Sequence, residues 1–117
     1  MKSTSDVLAH HLKCFAARDL NGIMLDYSSD AVFFSPEGAL RGHAAIRSVF
    51  EKLFNEFAKP GAALQSKLRV VEGDYVYTVW TAETPDNSYE LASDTFVIRN
   101  GLIEMQALTA KVQPKIS

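Results

Sequence analysis

The sequence has almost no cysteine, no long apolar run and no excess of charge of one sign. Cys14 is the single cysteine among 117 residues, which excludes an internal disulfide and favours a reducing, cytoplasmic location. The longest apolar runs span only a few residues, far fewer than a membrane-spanning helix needs. Because 12 basic and 14 acidic side chains give a formal charge of −2, we expect no nucleic-acid or membrane partner.

The chain has the composition of one globular domain. Hydrophobic residues make up 47% of it, and it contains no repeat, low-complexity tract or linker. A length of 117 residues leaves no room for a second core, so we predict a single domain over residues 1–117. The segment after Lys2 has no continuous apolar stretch and does not predict a secretory signal.

The first half of the chain shows helical periodicity. Apolar residues at helical spacing predict helices over residues 6–18 and between Gly42 and the Lys-Pro-Gly stop at 59–61. Asp19 is the expected N-cap of a short helix between them. A short strand is predicted at residues 31–34, with Pro36 and Gly38 as its stop signal.

The second half predicts strands joined by tight turns. Residues 72–75 and 99–102 both have the composition of two-residue hairpins, the latter with a strong Asn-Gly signal. The order is therefore helix, helix, strand, helix and then four long antiparallel strands. We predict an α+β domain in which a curved antiparallel sheet wraps over three N-terminal helices.

The last hairpin predicts a carboxylate on an apolar face. With Asn100 and Gly101 as the turn, Arg99 opposes Leu102. Pairing outward from there, Ile98 is predicted to oppose Ile103 and Phe96 to oppose Met105, with side chains alternating between the faces. Gln106 falls on the opposite, more polar face. Six residues are predicted to share the inner face: Asp94, Phe96, Ile98, Ile103, Met105 and Ala107.

The first hairpin, with Gly73-Asp74 as its turn, predicts a second apolar face. Val70 opposes Tyr77 there, and Leu68 opposes Val79. Trp80 is predicted to oppose Lys67 and to face away from the helices, among the basic side chains of Lys67 and Arg69.

Three stretches of the chain resemble the SnoaL-like and ketosteroid-isomerase-like families of the nuclear transport factor 2-like superfamily. They are the helix-turn-strand opening RDLNGI…YSSDAVF at 18–33, the helix entry RGHAAIR at 41–47 and the hairpin SDTFVIRNGLI at 93–103. The resemblance implies a cone-shaped domain whose curved sheet encloses an apolar pocket. It implies little about function, since this fold hosts enzymes, binding modules and oligomerisation domains.

The resemblance also suggests roles for individual residues. Ketosteroid isomerases place a general-base aspartate before a proline at the end of the first strand, where this chain has Ser35. A true steroid isomerase is therefore not expected, although Glu37 nearby can be considered as a substitute base. The two oxyanion-binding groups of those enzymes align with His11 and Asp94. In those enzymes the aspartic acid is held neutral by its apolar site.

Asp94 and His11 are the predicted catalytic residues, with Asp94 as acid or oxyanion donor and His11 as its partner. The alternatives are a carboxylate satisfied by protein groups and a histidine at the edge of the core. His10, about 100° around the helix, is expected to be exposed. The other residues predicted to bind ligand are Phe34, Ser35, Glu37, Tyr77, Val79, Phe96, Ile98 and Met105. No cofactor motif or metal-ligand spacing is present in the sequence.

Two functions follow from these residues. The first is a cofactor-free acid/base enzyme, such as an isomerase, cyclase or dehydratase, acting on a small apolar molecule. The second is a non-catalytic ligand-binding or dimerisation module of the same fold. In either case, the outer sheet face around Trp80 predicts a homodimer, which the resemblance also implies.

Overall fold

A computed structural model describes residues 2–116 as a mixed α+β domain, which confirms the predicted fold class. Its helices are α1 (Thr4–Ala17), α2 (Leu20–Met24) and α3 (His43–Phe57). Its strands are β1 (Tyr27–Ser35), β2 (Gly38–Arg41), β3 (Ala63–Glu72), β4 (Tyr75–Glu83), β5 (Asn87–Arg99) and β6 (Leu102–Pro114). The six strands form one curved, open sheet in the order β2-β1-β6-β5-β4-β3. Strands β1 and β6 are parallel, and all other neighbours are antiparallel.

Side-chain caps fix where the first two helices begin. Ser3 and Asp6 form a capping box at the start of α1, each side chain bonding the other residue's backbone N–H. The predicted N-cap of α2 is confirmed, because the Asp19 carboxylate accepts a hydrogen bond of 2.9 Å from the backbone N–H of Gly22. Between the helices, Arg18 adopts the left-handed conformation with φ 54°.

The hydrophobic core lies between the helices and the concave face of the sheet. Helix α3 contributes a continuous buried stripe from Ile46 through Phe50 and Phe54 to Phe57. The Phe50 ring lies 6.1 Å from that of Phe33 on β1 and 5.8 Å from that of Phe54, both between ring centroids. This packing fixes α3 against the sheet and leaves space beside α1.

The structure contains a strand that the sequence analysis did not predict. After Pro36, the chain turns sharply and pairs back on β1 as β2, with Ser35 opposite Gly38. Gly38 has φ 130°, a conformation that side-chain-bearing residues rarely adopt. Proline and glycine, taken as a stop signal, are here the turn of a short hairpin.

The first long hairpin has the predicted turn but the opposite face inside. The pairs Val70–Tyr77 and Leu68–Val79 are confirmed, yet Tyr77 is 46% exposed on the outer face. Val76 and Thr78 are buried instead, and Trp80 points inward with them. The prediction failed because both faces of β4 carry large apolar residues, so alternation alone does not identify the buried one.

A β-bulge changes the partner of Trp80. Ser66 is opposite Trp80 and Leu68 is opposite Val79, so Lys67 is the extra residue and the predicted Lys67–Trp80 pair is wrong.

The predicted register of the last hairpin is correct near its turn, and it is shifted by one residue farther from the turn. Ile98 pairs with Ile103 as predicted, but Phe96 pairs with Gln106 rather than Met105. The extra residue is Glu104, which makes a β-bulge in β6. Consequently Gln106 is buried on the inner face and Met105 moves to the other one, while Asp94 stays inside opposite Leu108.

None of the helices within residues 2–116 is long and apolar enough to cross a membrane. The cytoplasmic location stays a prediction based on the single cysteine.

Candidate functional site

A cavity of about 390 Å³ lies between α1, α3 and the concave face of β3–β6. This volume is within the range of small-molecule sites. Its wall is mostly apolar and rich in aromatic rings, which come from α1, α3 and three strands: Phe15, Phe33, Phe50, Phe57, Trp80, Tyr89 and Phe96. The residues of the wall that are exposed lie at the end of α1 and along β3, and they mark its opening.

Of the described residues 2–116, Asp94 alone brings a carboxyl group to the cavity wall. It is buried on β5, and each of its oxygens accepts one hydrogen bond. Trp80 Nε1 donates to Oδ2 at 2.8 Å, and Gln106 Nε2 donates to Oδ1 at 2.9 Å. Burial raises the pKa of the Asp94 carboxyl, although these two hydrogen bonds oppose the shift. The group therefore keeps its proton to a higher pH than an ordinary aspartate.

The two donors to Asp94 belong to a longer chain of hydrogen bonds. The Tyr27 hydroxyl donates to Gln106 Oε1, which orients the Gln106 amide so that its nitrogen faces Asp94. Tyr27, Gln106 and Asp94 are all buried, and burial raises the pKa of the Tyr27 hydroxyl, which stays protonated. The carboxyl group thus has a fixed position in the cavity wall.

His11 occupies an aromatic cage on the helix side of the cavity. Its ring centroid lies 5.2 Å from that of Phe96, 5.8 Å from that of Phe50 and 6.1 Å from that of Tyr27, all edge to face. Burial, with a smaller contribution from the charge of His10, lowers the pKa of His11 to about 4. The imidazole is therefore neutral at pH 7. Among residues 2–116, its buried Nδ1 has no hydrogen-bond partner.

The cavity collects only some of the residues that the sequence analysis assigned to it. His11, Asp94, Phe96 and Val79 line it. Tyr77 and Met105 belong to the outer face, and Ile98 is buried in the core without reaching the cavity.

The β1–β2 hairpin also lies outside the cavity wall. Phe34 is 46% exposed, and Glu37 is exposed at the turn. The Ser35 hydroxyl accepts a hydrogen bond of 3.2 Å from the Glu37 backbone N–H. None of the three contributes to the cavity wall, so no carboxylate stands there at the position of the isomerases' base.

Neither hydrogen-bond partner of Asp94 was predicted from the sequence. Trp80 and Gln106 were placed on outer faces, and each error came from a register or face assignment rather than from residue type. The available signal was chemical: a carboxylate buried on a strand needs donors, and the neighbouring strands offered an indole and an amide.

His10 on α1 is not exposed as predicted. It is half-buried, and its Nδ1 lies 2.7 Å from Asp26 Oδ1, while its Nε2 lies 3.5 Å from Cys14 Sγ. Asp26 is only 1% exposed, and burial raises the pKa of its carboxyl against the opposing effect of His10. This cluster is not part of the cavity wall.

Over residues 2–116, no group of three or more His, Cys, Asp or Glu side chains is arranged to hold a metal ion.

The comparisons with known proteins identify the family. The model of the SnoaL-like domain matches residues 8–104, and the chain belongs to this family. No curated protein matches the sequence.

Three solved structures illustrate the similarity of fold. An NTF2-like protein of unknown function from Cytophaga hutchinsonii has a TM-score of 0.78 at 14% identity, covering 95% of this chain and 92% of its own. A steroid delta-isomerase from Pseudomonas aeruginosa has a TM-score of 0.77 at 18% identity, covering 92% and 79%. TerC, crystallised with polyporic acid, has a TM-score of 0.73 at 18% identity, covering 92% and 91%. At these identities the structures establish the fold and not the activity.

Proposed function

We propose that the cavity binds a small, largely apolar molecule and that Asp94 and His11 catalyse a cofactor-free proton transfer on it. The reaction type is an isomerisation, cyclisation or dehydration. One observation carries this proposal: two titratable side chains, both buried and with shifted pKa values, line the same aromatic cavity. Shifted pKa values in a cleft are typical of catalytic groups.

Burial assigns different roles to the two groups, because it disfavours the charged form of each. Asp94 is biased towards the carboxylic acid, which donates a hydrogen bond, and His11 towards the neutral imidazole, which accepts one. In an isomerisation, His11 takes a proton from a carbon next to a carbonyl group, and Asp94 donates to the carbonyl oxygen as it gains charge. Returning the proton to another carbon completes the reaction without an added reactant.

This assignment also gives a role to the hydrogen bonds around Asp94. Trp80 and Gln106 hold the carboxyl group in the wall, so its position does not depend on the ligand. A preorganised donor costs no reorganisation when charge develops on the substrate. The His11 position supplies the base that Ser35 and Glu37, outside the wall, do not supply.

The alternative is a non-catalytic ligand-binding module with the same cavity. A specific observation favours it: a pKa of about 4 makes His11 a weaker base than an ordinary histidine. In this alternative, Asp94 and His11 only hydrogen-bond to polar atoms of the ligand.

Hydrogen–deuterium exchange distinguishes the two functions without knowledge of the natural substrate. The probe is 1-tetralone, a small aromatic ketone whose α-protons exchange in D₂O at a rate measurable by proton NMR. We expect the protein to accelerate exchange, and Asp94→Asn and His11→Leu each to reduce the acceleration by about 100-fold. Glu37→Gln is the matched control, because it removes an exposed carboxylate outside the cavity wall and leaves the rate unchanged.

Binding of the ketone is measured in parallel by displacement of N-phenyl-1-naphthylamine, an uncharged fluorescent probe of apolar sites. Binding without accelerated exchange overturns the catalytic proposal and supports the binding module. Acceleration that survives both cavity variants places the chemistry elsewhere. Absence of any binding overturns the proposed use of the cavity.

We also propose a homodimer formed through the outer face of the sheet. Trp80 is not part of this interface, because its side chain points into the cavity. Exposed apolar side chains on this face support it: Leu68, Val70, Tyr75, Tyr77 and Leu91. A two-fold pairing buries the same face of both copies. Sedimentation equilibrium should show a dimer that Tyr77→Glu dissociates, while Ser48→Glu, which adds the same charge on α3, has no effect. A wild-type monomer at micromolar concentrations contradicts the dimer.

A further inference from the structure

The opening of the cavity carries positive charge, which the interior of the cavity lacks. The exposed part of the wall includes Arg18 at the end of α1 and Arg69 on β3. Within residues 2–116, they are the only basic residues of the wall besides the neutral His11, and the buried Asp94 is its only acidic residue. The chain as a whole has a net charge of −2, so an opening lined by two cations and no exposed acid has the opposite sign of charge.

Neither arginine is neutralised by the part of the protein that the structure describes. Within residues 2–116, no carboxylate lies within 4.0 Å of Arg18 or Arg69, whereas Arg99 is 3.2 Å from Asp74 and 3.6 Å from Glu104. The one side-chain hydrogen bond of Arg18 reaches the Ala16 carbonyl at the limiting distance of 3.5 Å. Both guanidinium groups therefore keep most of their donors available to a ligand.

The backbone directs both side chains to this opening. Arg69 pairs with Thr78, a residue of the cavity wall, so both face the concave side of the sheet. Arg18 is the residue after α1 and has φ 54°, where glycine is the usual choice because a side chain costs about 1 kcal/mol there. Arg18 lines the opening from the end of α1.

A second, independent feature indicates a ligand in the same cavity. His11 is buried in the wall, and its Nδ1 has no hydrogen-bond partner in the part of the chain that the structure describes, although buried polar atoms rarely lack one. The interior thus offers aromatic surface and a few polar groups, and the opening offers two guanidinium groups.

We propose that the occupant of the cavity is an amphiphilic anion, with an aromatic body inside and an acidic group held between Arg18 and Arg69. Carboxylate, sulfonate and ionised enol or phenol groups share the required chemistry, because each presents oxygen acceptors to a guanidinium. The proposal rests on the proposed function and names its class of ligand. The anion also explains why the mouth is basic, since charge at a cleft raises the rate of encounter.

A matched pair of fluorescent probes tests the charge separately from the cavity. 8-Anilinonaphthalene-1-sulfonate carries the sulfonate that N-phenyl-1-naphthylamine lacks, and the aromatic body is the same. In low salt, we expect the combined variant Arg18→Gln, Arg69→Gln to weaken binding of the sulfonate about tenfold. Binding of the uncharged probe should change less than twofold. Arg47→Gln, on α3 and outside the wall, controls for overall charge and leaves both affinities unchanged.

Two further variants locate the probes. Leu108→Trp, or Ala62→Trp if the first does not fold, fills the cavity and should abolish binding of both probes. Leu91→Ser changes an exposed residue of the outer face that lies outside the cavity wall, and it should have no effect.

The outcomes separate the two proposals. Equal loss of both probes in the arginine variant, or loss of neither, overturns the anionic ligand while leaving the cavity proposal intact. Binding that survives both filling variants overturns the use of the cavity itself.

Discussion

The two adjacent histidines of α1 have opposite surroundings. His10 lies on the side of the helix that meets Asp26 and Cys14, where its ring bonds a buried carboxylate at 2.7 Å. His11 lies about 100° around the helix in a cage of three aromatic rings and lines the cavity. One histidine already has its acid as a partner, whereas the other leaves hydrogen-bonding capacity for a ligand.

The two aspartates differ in the same way. Burial raises the pKa of both, but Asp26 is paired with a histidine and Asp94 with the neutral donors Gln106 and Trp80. Only Asp94 lines the cavity. A histidine and a carboxylate in contact therefore stabilise the structure at one site, and the same residue types held apart by a cavity form the candidate functional site at the other.

The largest expected effect is the pH dependence of stability that His11 causes. Its pKa is about 4 in the folded protein against an ordinary 6.5. Between these values the unfolded chain binds more protons than the folded one. The contribution of neutral His11 to the free energy of unfolding is therefore fully present above pH 6.5 and is lost as the pH falls towards 4. The loss amounts to about 3 kcal/mol at 1.36 kcal/mol per pH unit.

Replacing His11 by leucine should remove this loss. Urea unfolding of the wild type and of His11→Leu at pH 7 and pH 4 measures it, because the other titrating groups are common to both proteins. The raised pKa of Asp94 changes the stability in the opposite direction as the pH falls, and this contribution is present in the wild type and in the variant alike. An equal loss in the two proteins contradicts the lowered pKa of His11.

A smaller effect separates the two histidines at pH 7. His10→Leu leaves the Asp26 carboxylate, only 1% exposed, without its hydrogen-bond partner, and should cost about 2 kcal/mol. His11→Leu removes a ring with an unpartnered nitrogen from an apolar cage, so we expect its cost to be under about 1 kcal/mol. Denaturant unfolding at pH 7 gives both values. The reverse order would show that the roles of the two sites are exchanged.

The smallest effect concerns the donor from Trp80. Trp80→Phe removes the indole N–H that bonds Asp94, so the pKa of Asp94 should rise further, and stability should fall by about 1 kcal/mol. Tyr89→Phe is the matched control, because its hydroxyl bonds Glu56 rather than Asp94. A carbon-detected titration of the Asp94 carboxyl measures its pKa in both variants, and urea unfolding measures their stability. An unchanged midpoint in Trp80→Phe would show that the indole does not hold the carboxyl.

The sequence predicted the class of fold and the place of Asp94, because those depend on local signals. Helical periodicity, the cap at Asp19 and the Asn-Gly turn are each contained in a few neighbouring residues. The turn placed Asp94, Phe96 and Ile98 on one buried face, and that face is confirmed. The bulge at Glu104 preserved this result because β5 itself remains regular there.

The partners of Asp94 were not predictable in the same way. A bulge moves a strand by one residue and exchanges its faces, which is how Gln106 came to lie inside. Trp80 was misplaced because β4 is apolar on both sides, and its burial is decided by helices that are distant in sequence. His10 and Asp26 are 16 residues apart, and their contact depends on how β1 packs under α1.

The most direct test of the account is a ligand titration followed by NMR on the two histidine–aspartate sites together. N-Phenyl-1-naphthylamine is added to protein labelled with ¹⁵N in histidine and ¹³C in the aspartate carboxyl groups. If the cavity is the binding site, the ring nitrogens of His11 and the carboxyl of Asp94 shift on saturation, while those of His10 and Asp26 do not. Shifts confined to His10 and Asp26, or equal at both sites, would contradict the account.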